Sequence, residues 1–282
     1  MLCAWDSFIH LLPARYRDKT DKLGRQTLQE VRMRLGLPPE LVFQNERYKL
    51  DSPVSVEDMR QCINFASQYS PWAAGTVRNG YITAPGGHRV GIFGRFTTHK
   101  DLGWSLQTPS MLCLRVCRDF EGIASKAAHI SGSILIIGPP GCGKTTLLRD
   151  LIRLKSQHGA GNISVVDERE ELFPRSMERL CFFAGEHTDI LSGCTKQDGI
   201  HWALRNMTPS SIAVDEITAK EDCDALLHAG WCGVNLLATA HAGSRHDLFT
   251  RQVYKPILEN HLFQTLLIMQ PDKQWHAERI NT

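Results

Sequence analysis

The segment that most constrains this chain is Gly138-Pro139-Pro140-Gly141-Cys142-Gly143-Lys144-Thr145, which has the form G-x-x-x-x-G-K-S/T. It follows Ser133-Ile134-Leu135-Ile136-Ile137, an apolar run of the kind that forms a buried parallel strand. It precedes Thr146-Leu147-Leu148-Arg149-Asp150-Leu151, with leucines at helical spacing. Strand, glycine loop and helix in that order make a phosphate site. The glycines let the backbone fold into a nest whose N–H groups point at phosphate oxygens, and the helix N-terminus adds partial positive charge. Gly138 to Thr146 are therefore the expected nucleotide-binding residues. Lys144 is expected to reach the β- and γ-phosphates of ATP, and Thr145 to offer its hydroxyl to Mg²⁺.

A phosphate loop does not by itself separate an ATPase from a GTPase or a small-molecule kinase. Ser211-Ile212-Ala213-Val214-Asp215-Glu216 is a second β-rich run that ends in two carboxylates. Such a strand brings Asp215 to Mg²⁺ and lets Glu216 polarise a water for attack on the γ-phosphorus. The D-x-x-G that GTPases carry at this position and their later N-K-x-D pattern are missing, and a kinase would more often use a lone Asp with an arginine-rich lid. The Asp-Glu pair favours hydrolysis.

Two more strands complete a RecA-like set. Asn162 to Glu170 lies between the two motifs in sequence, and Val234 to His241 follows them. An extra strand between the nucleotide motifs, central in the sheet, characterises additional-strand P-loop ATPases. His241 ends its strand at the carboxyl edge, where open α/β sheets bind ligands, and is expected to sense the γ-phosphate. The expected fold is a RecA-like α/β ATPase domain over residues 127–282, preceded by a smaller α+β domain over 1–126. The boundary is expected between Glu121 and Ser131.

Further segments resemble the secretion-ATPase superfamily, and within it the stage III sporulation AA family. They include Leu28 to Gly36, Gly80 to Thr83, Gly86-Gly87-His88-Arg89-Val90-Gly91-Ile92-Phe93-Gly94 and Leu114-Arg115-Val116. Val166 to Glu170, Thr188 to Cys194, Arg205 to Pro209 and Thr239-Ala240-His241 complete the set. The glycine-rich hairpin discriminates best, because no general nucleotide chemistry demands it. The resemblance implies an ATP-hydrolysing motor acting in sporulation, built as a hexameric homo-oligomeric ring at the cytoplasmic face of a membrane. Other stage III membrane proteins are its implied partners. It makes Asp167 to Glu170 an acidic box, with Glu168 an alternative to Glu216 as base. Arg205 resembles the arginine before the Asp-Glu strand. Arg115 and Arg118 lie where such motors supply an arginine to a neighbouring nucleotide, and Arg115 is the better match. Two departures stand out: Thr218 occupies a position where glycine is expected, and the chain stops soon after Trp275, where relatives often continue.

Composition agrees with a cytoplasmic protein. No run approaches 18 apolar residues, and the N-terminus lacks a basic-then-apolar leader. Nine scattered cysteines without C-x-x-C read as reduced thiols, with Cys142 a liability toward thiol reagents. Through Lys126 there are 17 basic and 12 acidic residues (+5); beyond it there are 15 and 18 (−3). That asymmetry suits an anionic membrane surface, a neighbouring subunit or nucleic acid. The alternative function is a nucleic-acid-associated ATPase, because related domains are fused to single-strand-binding modules. Against nucleic acid, the R-x-x-x-H signature of those modules is missing from the C-terminal tail, and base-stacking aromatic–basic stretches are missing. A slow, nucleotide-gated scaffold is a third reading. In the first domain, Glu40 to Phe43 reads as a strand, and Val56 to Ala66 as a helix capped by Ser55 with Asp58. Gly80 to Phe96 reads as a hairpin turning at Pro85-Gly86-Gly87. His88-Arg89 is a metal or phosphate candidate, with no second His or Cys nearby to support a metal.

Overall fold

A computed structural model describes residues 2–69, 80–99, 103–159, 161–176 and 179–280. The chain forms two compact units, one of Met1–Asp119 with Arg175–Cys181 and one of Phe120–Pro174 with Phe182–Thr282.

Among the described residues the first unit has three α-helices, α1 (Trp5–Leu11), α2 (Ala14–Gly24) and α3 (Val56–Ser67). Its strands are β1 (Glu30–Arg34), β2 (Glu40–Val42), β3 (Arg47–Lys49), β4 (Tyr81–Ala84), β5 (His88–His99) and β6 (Gly103–Arg115). They form one antiparallel sheet in the order β3-β2-β1-β6-β5-β4. Alternation along β1 sends Val31 and Met33 into a core shared with Phe8, Leu41, Met59 and Leu112. Ser55 caps α3 in a reciprocal capping box with Asp58, which fixes where that helix starts.

The hairpin turns at Pro85–Gly87. Gly86 has φ 79°, and a Cβ there would lie 2.4 Å from the Ala4 Cβ, so the turn admits only glycine. His88 is fully buried behind it. Its Nδ1 accepts from the Cys117 N–H at 3.0 Å, so Nε2 carries the proton and donates to the Ala4 carbonyl at 2.9 Å. Burial pushes its pKa down to about 4. Both ring nitrogens are thus spent inside the fold, and His88 is neither a metal nor a phosphate ligand. The Arg89 guanidinium stacks 3.8 Å above the Tyr81 ring. The most discriminating motif of the sequence is architectural.

In the second unit β7 (Ile134–Gly138), α4 (Lys144–Gln157) and β8 (Ile163–Asp167) come first. A two-stranded excursion, β9 (Arg175–Ser176) and β10 (Arg179–Leu180), belongs to the first unit. Then come β11 (Thr188–Ser192), α5 (Lys196–Asn206), β12 (Ser211–Ile217), α6 (Lys220–Trp231) and β13 (Asn235–His241). The unit ends with α7 (Arg245–Thr250), α8 (Lys255–Glu259), β14 (Thr265–Met269) and β15 (Trp275–Arg279). The sheet order is β11-β8-β12-β13-β7-β14-β15, parallel except for β15. Strands β7, β8 and β14 are buried along their whole length, which explains their unbroken apolar runs. The strand inserted between the phosphate-loop strand and the Asp-Glu strand is β13. Strand β8, between them in sequence, lies outside β12.

The division between the units falls at Asp119/Phe120, earlier than the expected residue 126. Asp150 on α4 explains the shift. Its carboxylate accepts from the backbone N–H groups of Gly122 and Ala124 at 3.2 and 2.7 Å, and Arg153 donates to the Phe120 carbonyl at 3.2 Å. The segment expected to hold the boundary is therefore tied to the helix that follows the glycine loop. Among the described residues no helix is long and apolar enough to cross a membrane.

Candidate functional site

The loop after β7 ends at Gly143, whose φ of 102° only glycine adopts without strain, and α4 begins at the next residue. Buried Lys144 folds back over the loop. Its ammonium donates to the carbonyls of Gly138 (3.0 Å) and Pro139 (2.9 Å) and to Nδ1 of His241 (3.1 Å). Burial lowers its pKa, a shift opposed by Asp215 and Glu216. Pro140 and Gly141 are exposed at the loop's crest, while Thr145 and Thr146 are half-buried in the first turn of α4. Cys142 points inward, 2% exposed, and burial raises its thiol pKa. A buried thiol that resists ionisation is a poor nucleophile, so the expected reagent liability is muted.

Strand β12 delivers the two carboxylates in different ways. Its pairing with β13 breaks between Val214 and Ile217, so Asp215 and Glu216 leave the ladder. Glu216 has φ 57°, rare for a residue with a Cβ. The N–H it withdraws from the ladder is caught by the Thr239 hydroxyl at 2.8 Å. That hydroxyl donates onward to Asp215 Oδ1 at 2.5 Å, and the Thr145 hydroxyl donates to Asp215 Oδ2 at 2.7 Å. Thr145 and Asp215 form an oxygen-only donor pair, the chemistry a hard cation such as Mg²⁺ takes.

Glu216 turns toward the loop. Its Oε1 accepts from His241 Nε2 at 2.9 Å, and its Oε2 from Arg169 Nη1 at 3.3 Å. Glu168 turns the other way, accepting from the buried Lys196 ammonium at 2.8 Å. Asp167 does not face the loop. Its carboxylate accepts the N–H groups of Glu171 (2.9 Å) and Phe173 (2.8 Å), and burial pushes its pKa up to about 6. It folds the turn that presents Glu168 and Arg169. A cavity of about 20 Å³, the size of one water, is lined by Glu168, Arg169, Asp215 and Glu216 among others.

The fold thus brings Lys144, Thr145, Asp215, Glu216 and His241 into one connected cluster, with Glu168 at its edge. Arg205 is exposed on α5, outside that network. Arg115 belongs to the first unit, where its side chain is 65% exposed and 3.7 Å from Glu30. Arg118 instead donates to the carbonyls of Leu28 and Arg25, a structural role. Thr218, the departure from glycine, donates its N–H and hydroxyl to Asp222 at the start of α6. Thr239, Lys196 and Arg169 went without assigned roles. Only Thr239 carried a usable signal: it lies two residues before His241, and so on the same face of a strand.

A profile described as "Sporulation stage III, protein AA" matches residues 7–279. The chain belongs to that family. It is 34% identical over 273 residues to stage III sporulation protein AA of Bacillus subtilis (strain 168), covering 91% of this chain and 88% of the relative. Among solved structures it resembles the ATPase DotB of Legionella pneumophila, with TM-score 0.59 at 17% identity, over 89% of this chain and 76% of that one. The pilus retraction motor PilT, solved with ADP, gives TM-score 0.59 at 15% identity, over 89% and 76%. At such identities the likeness establishes a fold shared with these two proteins.

Proposed function

We propose that the second unit binds ATP with Mg²⁺ and hydrolyses it, and that this family member works as an ATP-driven motor in sporulation. The observation that carries the proposal is the connected set Lys144–His241–Glu216 beside Thr145–Asp215, built at the carboxyl edge of a parallel sheet. The loop N–H groups and Lys144 hold the polyphosphate, and Thr145 with Asp215 hold the metal. Mg²⁺ when bound neutralises developing phosphate charge. His241 faces the γ-phosphate. Glu216 orients a water and takes its proton. Glu168, neutralised by Lys196, is the weaker candidate for base.

The likeness to DotB and PilT supports extending the reading to a hexameric ring at the cytoplasmic face of a membrane, with other stage III proteins as partners. Arg115 is then the residue offered to a neighbouring subunit's nucleotide. The deciding experiment is Mg²⁺-dependent phosphate release by the purified chain. Lys144→Ala should abolish both release and ATP binding, because it removes the fixed charge facing the phosphates. Arg115→Ala should lower turnover on the order of 10³-fold or more, and mixing it with Lys144→Ala subunits should restore part of it. Turnover that survives Lys144→Ala would sink the ATPase assignment.

A further inference from the structure

Glu216, the carboxylate joined to Lys144 through His241, is doubly held. His241 engages one oxygen and the Arg169 guanidinium the other. Arg169 comes from the turn after β8, which Asp167 folds by accepting two backbone N–H groups from a fully buried position. It borders the same water-sized cavity as Glu216. A carboxylate with a cation on one oxygen and an imidazole N–H on the other has fewer lone pairs left to orient a water. Yet Glu216 is also the end of a chain that starts at Lys144, whose ammonium is 3.1 Å from His241. Any phosphate that draws Lys144 away from His241 loosens the far end of that chain.

We propose that Arg169 is a positioning residue that restrains Glu216 in the resting site, and that arrival of a polyphosphate releases the restraint. The restraint rests on the ATPase reading above, since it assigns Glu216 the work of orienting water. A polyphosphate competes for both cationic ends of the chain, Lys144 and Arg169. Once Arg169 turns to the phosphate oxygens, Glu216 Oε2 faces the cavity unpaired. Hydrolysis is thereby tied to occupancy of the loop.

Magnitude separates this role from a transition-state arginine. The Arg169–Glu216 pair is partly exposed, at 54% and 32%. Pairs of that kind are worth up to about fivefold in a population, whereas an arginine on the transferring phosphoryl is worth on the order of 10³–10⁵-fold.

The test compares kcat and KM for ATP in the full chain, in Arg169→Gln and in Arg169→Lys. Under the restraint, Arg169→Gln raises kcat two- to about fivefold, and Arg169→Lys, which keeps the charge, raises it less. Adding Glu216→Gln to Arg169→Gln removes the gain. A fall in kcat on the order of 10³-fold would make Arg169 a catalytic arginine, and an unchanged kcat would make the pair incidental; either overturns the proposal. A second readout needs no hydrolysis. In Arg169→Gln the carboxylate settles on His241 alone, so the His241 Nε2–H proton resonance moves downfield; an unmoved resonance overturns the restraint. If the parent chain releases no phosphate while that resonance still moves, the Arg169–Glu216 pairing holds but the ATPase reading has failed, and the proposed tie between hydrolysis and loop occupancy falls with it.

Discussion

The Lys144 ammonium lies 3.1 Å from Nδ1 of His241, across the pairing that sets His241 opposite Gly138 on neighbouring strands. An ammonium only donates, so Nδ1 accepts and the proton sits on Nε2, from which it is donated to Glu216. The lysine that would hold phosphate therefore fixes the tautomer of the histidine that addresses the carboxylate. His241→Ala should lower ATP turnover on the order of 10²-fold while leaving ADP affinity within a few-fold of the parent, since only the triphosphate presents a γ-phosphate. Titration calorimetry with ADP beside steady-state kinetics checks this. Equal losses for both nucleotides would make His241 a residue that merely shapes the loop.

Glu216→Gln keeps the shape and the His241 contact but cannot take a proton. It should bind ATP as the parent does and hydrolyse it about 10²–10⁴-fold more slowly. Single-turnover phosphate release with pre-bound ATP separates the two effects. If the variant turns over at the parent rate, Glu168 is the base, and Glu168→Gln should then show the loss instead.

Stability of the first unit should depend on pH through His88. Burial holds its pKa near 4, below the ordinary 6.5, with nearby Arg118 acting in the same direction. A depressed pKa means that the fold favours the neutral ring. The stabilisation is full above pH 6.5 and is lost as pH falls toward 4, by on the order of 3 kcal/mol. His88→Gln offers a donor and an acceptor without titrating. The stability gap between parent and His88→Gln, measured by urea unfolding, should shift against the parent by that amount from pH 6.5 to 4. A gap that stays constant across this range would show that the ring does not charge there.

Much of the second unit was legible because its signals are local. A buried parallel strand needs an unbroken apolar run, as in Ile134 to Ile137, and a phosphate nest needs glycines at set spacing. Helix α3 was legible for the same reason, since Ser55 and Asp58 cap it within one turn. Pairing across the sheet is not local. Which strand is central depended on register between β7, β12 and β13, and the end of the first unit depended on Asp150 reaching back to Gly122 and Ala124.

By itself the sequence determined the chemistry available: a phosphate loop, a hydroxyl and a carboxylate for a metal, two candidate bases and a histidine. Each of these follows from residue type and short-range spacing, which the backbone translates directly into strand, turn and helix. Only the tertiary structure decided which groups meet. Glu168 and Glu216 are alike on paper, but one is neutralised by Lys196, 28 residues away, and the other is joined to His241 and Arg169, 25 and 47 residues away. His88 looked like a ligand until the Ala4 carbonyl and the Cys117 N–H took both its nitrogens. The reason is common to both cases. A side chain's role is set by the partners that burial and hydrogen bonding bring to it, and those partners lie far along the chain, where no spacing rule reaches.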